Sequence, residues 1–287
     1  MHASDRQAPL HEEEFRLLRD FIHERFGLWY DDTQRASLRG RLLPRLASLD
    51  LRGFEDYYHY LRFGPQRLDE VQRLVAHLTN NETYFFREQA QLAVFGDTVL
   101  REIRERKTAA GERELRLLSA GCSSGEEALT LAMLAFDSGQ FFWNWAVRVV
   151  GVDVDPDVIE RARRGLYHPY SFRGTSSALQ ERHFTRTAAG FKPKEAVRRL
   201  VEYRRGNLLD AASFDGLGGF DAVFCRNVLI YFSDVSTERL ARLLYGLLRP
   251  RGYLFLGHAE SLARIPNSFR TLRFPGAVVY QRPEGEE

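Results

Sequence analysis

The chain of 287 residues has few cysteines and no long apolar run, and each shortage excludes a class of protein. Cys122 and Cys225 fit no zinc-binding or redox spacing, which favours a reducing compartment over one that forms structural disulfides. No apolar run approaches the roughly 18 residues that a membrane-spanning helix needs. The first residues, MHASDRQAPL, lack the apolar segment of a signal peptide. We therefore expect a cytoplasmic protein without direct membrane insertion.

The chain also lacks a large excess of one charge, because 41 basic and 39 acidic residues leave a net charge of only +2. Lysine occurs only at Lys107, Lys192 and Lys194, so arginine carries nearly all of the positive charge. A balance this close to neutral gives little support to a nucleic acid or another polyanion as the partner. The hydrophobic share of 44% is ordinary for a globular protein and sufficient for a core.

Four successive segments between residues 12 and 78 carry apolar residues at helical spacing. We expect these helices at about residues 12–27, 33–48, 54–64 and 67–78. Pro44 predicts a kink or a break in the second helix. The segments together predict a small all-helical domain over residues 1–80.

Strands alternate with helices in the rest of the chain. Strands are predicted at residues 115–119, 147–152, 220–225, 253–257 and 277–280, and helices at residues 126–136, 156–164 and 237–248. This alternation predicts an α/β domain with a mostly parallel sheet over residues 81–287. Residues 168–205 interrupt it, and a turn at residues 188–190 predicts a small antiparallel insertion there.

A loop containing two glycines follows the first predicted strand, in the sequence LLSAGCSSGEE. Ligands of open α/β sheets bind beyond the carboxyl ends of strands, and Gly121 and Gly125 would let the backbone approach one closely. The G-x-G-x-x-G spacing is absent. Glu126 and Glu127 would repel a pyrophosphate but would attract a cationic ligand such as S-adenosylmethionine. The alternative is a simple strand-to-helix turn whose acids only stabilise the helix N-terminus.

Polar residues also follow the strand at residues 147–152 and a further strand that we expect to end near residue 205. Asp153 is suited to accept hydrogen bonds from both ribose hydroxyls, with helix capping as the alternative. Asp155 precedes Pro156 and is better suited to cap the next helix. Asn207, which precedes Leu208, could read an adenine edge with its amide, although an asparagine there is also typical of a turn.

Two further segments indicate what kind of group could accept a methyl group. The sequence FCRNVLIYF follows the fourth parallel strand and lacks the proline pair of the amino-group methyltransferases that act on DNA and RNA, which argues against a nucleobase acceptor. The sequence LTNNETYFFR precedes the sheet. Its aromatic residues suit packing at the domain junction, whereas Arg87 could bind a carboxylate through its guanidinium.

Together these segments resemble the CheR family of chemotaxis receptor methyltransferases. The likeness runs from about residue 12 to residue 281 and is carried by the sequences NETYFFR, GCSSGEE, CRNVLIYF and GHAES. It implies a Rossmann-like domain that binds S-adenosylmethionine, an N-terminal all-helical domain and an inserted antiparallel β-subdomain. The activity implied is methylation of receptor glutamate side chains, with S-adenosylhomocysteine as the product.

The resemblance also implies roles for individual residues. With Gly121 of the glycine loop, the candidate cofactor-binding residues are Asn81, Thr83, Arg87, Glu127, Asp153, Asn207, Leu208, Arg226 and Asn227. Arg87 and Tyr231 resemble residues near the transferred methyl group and are the candidate catalytic residues. No metal is implied.

Four arginines, Arg35, Arg39, Arg41 and Arg45, make the second predicted helix basic. They could form a solvated face, but the resemblance implies a dock for the cytoplasmic helices of a methyl-accepting receptor. We expect a monomer with that partner and no nucleic acid. Two alternatives remain open: a non-catalytic scaffold that binds S-adenosylmethionine in a chemosensory array, and a nucleic-acid methyltransferase that uses these arginines as a phosphate clamp.

Overall fold

The computed structural model describes residues 8–141 and 144–285. The chain folds into two compact units: one comprises Met1–Asn80 and Tyr231–Ser236, and the other comprises Asn81–Ile230 and Thr237–Glu287. The predicted domain limits, 1–80 and 81–287, do not include the return of the chain to the first unit at Tyr231–Ser236. In the described ranges, no helix has the length and apolarity to cross a membrane. Residues 1–7, on which the expectation about a signal peptide partly rests, lie outside those ranges.

Four helices dominate the described part of the first unit: α1 (Glu12–Phe26), α2 (Arg35–Ser48), α3 (Phe54–Phe63) and α4 (Arg67–Leu78). They match the four predicted segments. The break considered at Pro44 does not occur, since α2 continues through it. Leu42 and Leu46 are buried on either side of Pro44, and their packing offsets the loss of one backbone hydrogen bond.

The core of the first unit contains an ion pair. Arg45 donates from Nε and Nη2 to the two carboxylate oxygens of Glu70, at 2.9 and 2.5 Å. The Tyr57 hydroxyl donates to the same carboxylate at 2.7 Å. Because Arg45 is only 9% exposed, the prediction that it contributes to an exposed docking face is wrong.

A mixed sheet forms the centre of the second unit. Its described strands are β1 (Glu114–Ala120), β2 (Ala146–Asp153), β5 (Val201–Arg205), β6 (Phe220–Cys225), β7 (Leu248–Leu256), β8 (Arg270–Phe274) and β9 (Ala277–Gln281), and β3 (Phe184–Thr187) and β4 (Gly190–Pro193) form a separate antiparallel pair. The order is β5-β2-β1-β6-β7-β9-β8. The first five run parallel, and β9 and β8 are antiparallel additions. The predicted α/β class and small antiparallel sheet are confirmed.

Helices accompany the strands of this unit. They are α5 (Gln89–Val94), α6 (Leu100–Ala109), α7 (Glu126–Asp137), α8 (Pro156–Arg164), α9 (Ser177–His183), α10 (Glu195–Arg198) and α11 (Asp234–Leu247). A π-helical turn, Phe95–Val99, joins α5 to α6. The core beneath the sheet includes Phe95, Phe224 and Phe255, which are fully buried, and the last two stack face to face.

Two features of this unit differ from the sequence-based expectation. The strand β5 falls within the predicted insertion of residues 168–205 but pairs in parallel with β2, so it belongs to the main sheet. The strand β8 was not predicted. It is only five residues long, and its apolar side chains, Leu272 and Phe274, are too few to make a clear strand pattern, although both pack against the core.

Candidate active site

Loops that follow parallel strands converge at one edge of the sheet in the second unit. The strands β1, β2, β5, β6 and β7 share a direction, so their carboxyl ends lie together, where open α/β sheets bind ligands. The predicted site residues Gly121, Asp153, Asn207 and Arg226 all lie within two residues of such an end. The carboxyl edge is therefore the candidate active site.

The backbone conformation and the packing of the glycine loop both call for glycine at positions 121 and 125. Gly121 has φ +82°, and a Cβ there would lie 2.5 Å from Cγ2 of Val228. Gly125 has φ +93°, and its Cβ would lie 2.5 Å from the hydroxyl of Tyr203. Backbone conformation and packing thus both require glycine, and close approach to a ligand remains a prediction.

The two acids that begin α7 have different surroundings. Glu126 is 3% exposed and accepts hydrogen bonds from the Ser124 and Ser171 hydroxyls, at 2.7 and 3.0 Å. Glu127 accepts one from Ser119 at 2.7 Å, and its other oxygen lies 3.6 Å from Nη1 of Arg226. Burial raises the pKa of Glu127, although Arg226 opposes the shift. Glu126 therefore holds the loop, and Glu127 keeps an oxygen that can accept from a ligand.

Arg226 lies buried between two acids. Its Nη1 is 3.6 Å from Glu127, and its Nη2 is 3.6 Å from Glu88 and donates to the backbone oxygen of Arg87 at 2.5 Å. Its Nε has no hydrogen-bond partner among the described residues. A guanidinium that is 2% exposed and bridges two carboxylates links the end of β6 to the start of α7 and to the residue before α5.

Glu88 joins the chain before the sheet to two of the loops. It accepts a hydrogen bond from the Asn227 amide at 3.3 Å and one from the backbone N–H of His258 at 3.1 Å. Burial raises the pKa of Glu88, but the hydrogen bond with the His258 ring, whose Nδ1 lies 3.0 Å from Oε1, and the charge of Arg226 outweigh it, and the net shift is downward. Glu88 is thus held as a carboxylate.

Backbone strain concentrates in the same place. Phe86, Glu88, Ser123 and Asn227 have φ between +48° and +59°, a region that residues other than glycine rarely adopt. Strain of this kind persists where the surroundings over-determine the conformation, and it clusters at active sites. The strain therefore supports a functional role for the carboxyl edge.

Glu260 ties together the loops that follow β6 and β7. One of its carboxylate oxygens accepts from the backbone N–H groups of Asn227 and Gly257, at 2.8 and 2.6 Å. A Cβ on Gly257 would lie 2.7 Å from that oxygen and 3.0 Å from the backbone nitrogen of Asn227, so a larger residue would push the carboxylate away from its donors. Sequence reasoning missed Glu88 and Glu260, although the former directly follows Arg87 and the latter lies in the sequence GHAES.

Two aspartates, Asp153 and Asp155, lie at the end of β2 and just after it. Asp155 accepts from the backbone N–H groups of Asp157 and Val158, which confirms it as the cap of α8. Asp153 accepts one hydrogen bond on each oxygen, from the backbone N–H of Ser123 at 2.8 Å and of Asp155 at 3.0 Å. Burial raises the pKa of Asp153 to about 6.

The residues before the sheet adjoin the glycine loop. The Asn81 amide donates to Asp155 at 2.7 Å, and the Ser123 hydroxyl donates to the backbone oxygen of Asn81 at 3.1 Å. Thr83 is half-buried. Arg87 donates from Nη1 to the backbone oxygen of Glu82 at 3.1 Å. Its positive charge acts on Glu127, whose pKa it tends to lower.

Asn207 and Leu208 follow β5. The side-chain oxygen of Asn207 accepts from the backbone N–H of Leu209 at 3.0 Å, which closes a turn. Leu208 is buried, and its Cδ1 lies 3.9 Å from the Cβ position of Gly121. Both residues border the glycine loop, and their contact with adenine remains a prediction.

The remaining predicted residues belong to the first unit. Tyr231 lies in the returning segment, where its backbone oxygen accepts from the N–H of Trp29 at 2.8 Å. Its pairing with Arg87, a residue of the second unit, stays a prediction. In α2, the guanidinium of Arg41 donates to backbone oxygens at the end of α4, Arg39 donates to Ala8, and Arg35 is exposed.

The chemistry of the carboxyl edge fits S-adenosylmethionine. Glu127 offers an oxygen to an ammonium group, and Asp153 keeps acceptor capacity for a ribose diol, since each of its oxygens has one partner. The unpartnered Nε of Arg226 is a buried donor that calls for an acceptor. No cluster of side chains suited to a metal ion occurs in the described ranges.

Two family models match the chain. The model described as "CheR methyltransferase, SAM binding domain" matches residues 81–278, and "CheR methyltransferase, all-alpha domain" matches residues 13–79. "Chemotaxis protein methyltransferase 2" of Vibrio cholerae is 32% identical and covers 95% of this chain and 93% of its own length. "Chemotaxis protein methyltransferase" of Escherichia coli is 34% identical, with coverage of 94% and 91%.

A third relative is longer. "Probable biofilm formation methyltransferase WspC" of Pseudomonas aeruginosa is 35% identical over 261 residues. The match covers 91% of this chain but only 60% of that protein, so this chain spans about three fifths of the length of that relative.

Proposed function

This chain belongs to the CheR methyltransferase family, and from that premise we propose that it methylates glutamate side chains of methyl-accepting chemotaxis receptors. The methyl donor is S-adenosylmethionine, the ligand of the domain that spans residues 81–278. The products are a glutamate methyl ester and S-adenosylhomocysteine. The names of the Vibrio cholerae and Escherichia coli relatives, which both refer to chemotaxis, support the choice of receptor.

The observation that carries the proposal is the mixed charge of the carboxyl edge. Glu127 and Asp153 suit the cationic and hydroxyl groups of the donor, while Arg87 supplies a guanidinium that a carboxylate acceptor can pair with. A glutamate acceptor has a pKa of about 4.3 in water and is already ionised at neutral pH. The reaction therefore needs no general base, and the site needs only to position its reactants and exclude water.

S-adenosylmethionine supplies, when bound, a methyl group on a positively charged sulfur. In this proposal Glu127 accepts from its ammonium group, Asp153 accepts from its ribose, and Asn207 and Leu208 lie against its adenine. Asn81, Thr83, Gly121, Arg226 and Asn227 complete the binding residues. Arg87 holds the acceptor carboxylate or the carboxylate of the donor, and Tyr231 shapes the site of the transferred methyl.

The receptor would dock on the first unit through exposed arginines of α2. Arg35 is exposed and Arg39 is half-buried, whereas the guanidinium of Arg41 is engaged with backbone oxygens and Arg45 is buried. The proposal therefore narrows the dock to Arg35 and Arg39. Binding of acidic receptor helices there should weaken as salt rises. A monomer in the cytoplasm that reaches membrane arrays through its receptor fits this proposal.

The test is transfer of radiolabelled methyl from S-adenosylmethionine to membranes that contain candidate receptors, followed by mild alkali. Alkali-labile label on a receptor band, lost in Arg87→Ala, would support a glutamate methyl ester. An unchanged turnover in both Arg87→Ala and Tyr231→Phe would contradict the assigned catalytic residues. Label that resists alkali, or that appears on nucleic acid instead, would contradict the proposed acceptor.

A further inference from the structure

One segment of the second unit packs against the residues that carry Arg87. We call residues 167–175, between α8 and α9, the buttress. The backbone N–H of Phe85 donates to the backbone oxygen of Ser171 at 2.9 Å. A Cβ on Gly174 would lie 2.9 Å from the ring of Tyr84 and 3.2 Å from the backbone oxygen of Phe85. Only glycine permits so close an approach, so the buttress fits the chain around Tyr84 closely.

Arg173 of the buttress lies between two tyrosine rings. Its Cζ is 3.8 Å from the ring centroid of Tyr84 and 4.0 Å from that of Tyr170. Its Nη2 donates to Glu82 at 2.7 Å, and the Tyr170 hydroxyl donates to the same carboxylate oxygen at 2.9 Å. A planar guanidinium suits this combination of stacking and hydrogen bonding, and lysine does not. We call these four residues the arginine clasp.

Arg87 rests on two members of the clasp. Its Nη1 donates to the backbone oxygen of Glu82 at 3.1 Å, and its Cζ lies 5.7 Å from the ring centroid of Tyr84. Arg173 holds the same two residues, through the carboxylate of Glu82 and the ring of Tyr84. The two arginines therefore share Glu82 and Tyr84 as partners.

The clasp contributes little to stability by the usual measure of surface ion pairs. Glu82 is 51% exposed and Arg173 is 28% exposed, and pairs of this kind have small net energies. Tyr170 is 63% exposed, so it also buries little apolar surface. What the clasp restricts is the freedom of Glu82 and Tyr84, and with it the set of conformations open to Arg87.

We propose that Arg173 is a positioning residue that acts through Glu82 and Tyr84 to hold the guanidinium of Arg87 at the carboxyl edge. This inference rests on the proposed function, in which Arg87 binds a carboxylate of the donor or of the receptor. Loss of Arg173 leaves the site residues in place but lets Arg87 adopt conformations in which it cannot bind. Removal of Arg173 should therefore matter only while Arg87 is present.

The test is a double-mutant cycle on the full chain with Arg173→Ala, Arg87→Ala and the double variant. Two quantities are measured: the Kd for S-adenosylhomocysteine by calorimetry, and the KM for receptor membranes. We expect Arg173→Ala to weaken one of these by about 3- to 10-fold and to have no further effect once Arg87 is absent. Arg186→Ala, an exposed arginine of β3, is the matched control and should change neither.

Three outcomes would overturn the inference. They are additive losses in the double variant, a loss in Arg173→Ala without one in Arg87→Ala, and no loss in Arg173→Ala. Unfolding curves of all variants identify any loss that comes from damage to the fold. Calorimetry needs no methyl transfer, so a protein that binds S-adenosylhomocysteine but modifies no receptor contradicts the proposed function and still allows the cycle to be measured.

Discussion

The backbone N–H of Ser123 donates a hydrogen bond of 2.8 Å to a carboxylate oxygen of Asp153. The contact joins the glycine loop after β1 to the end of β2, and Ser123 makes it with a strained φ of +48°. Asp153 is 8% exposed, and burial raises its pKa to about 6. The acid proposed to bind ribose therefore titrates close to neutral pH.

Affinity for S-adenosylhomocysteine should fall as the pH drops through 6. Because the folded-state pKa of Asp153 is raised, the carboxylate is lost below pH 6, and with it one acceptor for the ribose hydroxyls. We expect about tenfold weaker binding at pH 5 than at pH 7.5, measured by calorimetry. Asp153→Asn should bind weakly at both values. A full pH dependence in Asp153→Asn would assign the titration elsewhere, with Glu127 as the next candidate.

Much of this fold follows from local pattern. Helical spacing of apolar residues predicted α1 to α4, and alternation of strands and helices predicted the parallel sheet, since both patterns reflect which face of an element is buried. The parallel sheet then placed Asp153, Asn207 and Arg226 at one edge. The strand β8 was missed because its two apolar residues, Leu272 and Phe274, give too short a pattern, whereas its pairing with β9 is visible only in the structure.

The partners of Glu88 could not be predicted in the same way. Glu88 lies 170 positions from His258 and 139 from Asn227, and no periodicity relates residues so far apart. The burial of Arg45 was equally hidden, because its partner Glu70 lies 25 positions away in α4.

Glu88→Gln should weaken binding of S-adenosylhomocysteine by about tenfold and lower stability by about 1–3 kcal/mol. Asn227 donates to one carboxylate oxygen of Glu88 and the backbone N–H of His258 to the other, so the amide leaves one of these donors facing an NH2 group, and Arg226 loses one of its two counter-charges. Calorimetry and urea unfolding measure the two effects. Glu105→Gln, at an exposed position of α6, is the control and should stay within about 0.5 kcal/mol of the parent. Equal behaviour of the two variants would contradict the role of Glu88.

Gly121→Ala should destabilise the protein by more than Gly111→Ala does. Both glycines have left-handed φ values, +82° and +75°, which cost alanine about 1–2 kcal/mol. Only Gly121 also faces a side chain, because its Cβ would lie 2.5 Å from Cγ2 of Val228, whereas nothing lies within 4 Å at Gly111. Overpacking adds about 1–3 kcal/mol.

The steric part of that loss should be reversible. Val228→Ala in the Gly121→Ala background should recover the overpacking cost but not the backbone cost, as measured by urea unfolding against Val228→Ala alone. Equal losses in Gly121→Ala and Gly111→Ala would mean that Val228 moves aside at no cost. Glycine would then be required at position 121 by the backbone conformation alone and not by packing against Val228.

Arg45→Ala and Arg35→Ala should separate stability from docking within one helix. Arg45→Ala leaves Glu70 as a buried, unpaired charge and should cost about 3–5 kcal/mol in urea unfolding. Arg35→Ala removes an exposed side chain and should change stability by less than about 0.5 kcal/mol.

If α2 docks acidic receptor helices, Arg35→Ala should instead raise the KM for receptor membranes at low salt and should lose that effect at high salt, where exposed charges are screened. An Arg35→Ala variant with an unchanged KM at low salt would remove Arg35 from the docking surface. A stable Arg45→Ala variant would mean that water or another cation replaces the guanidinium beside Glu70.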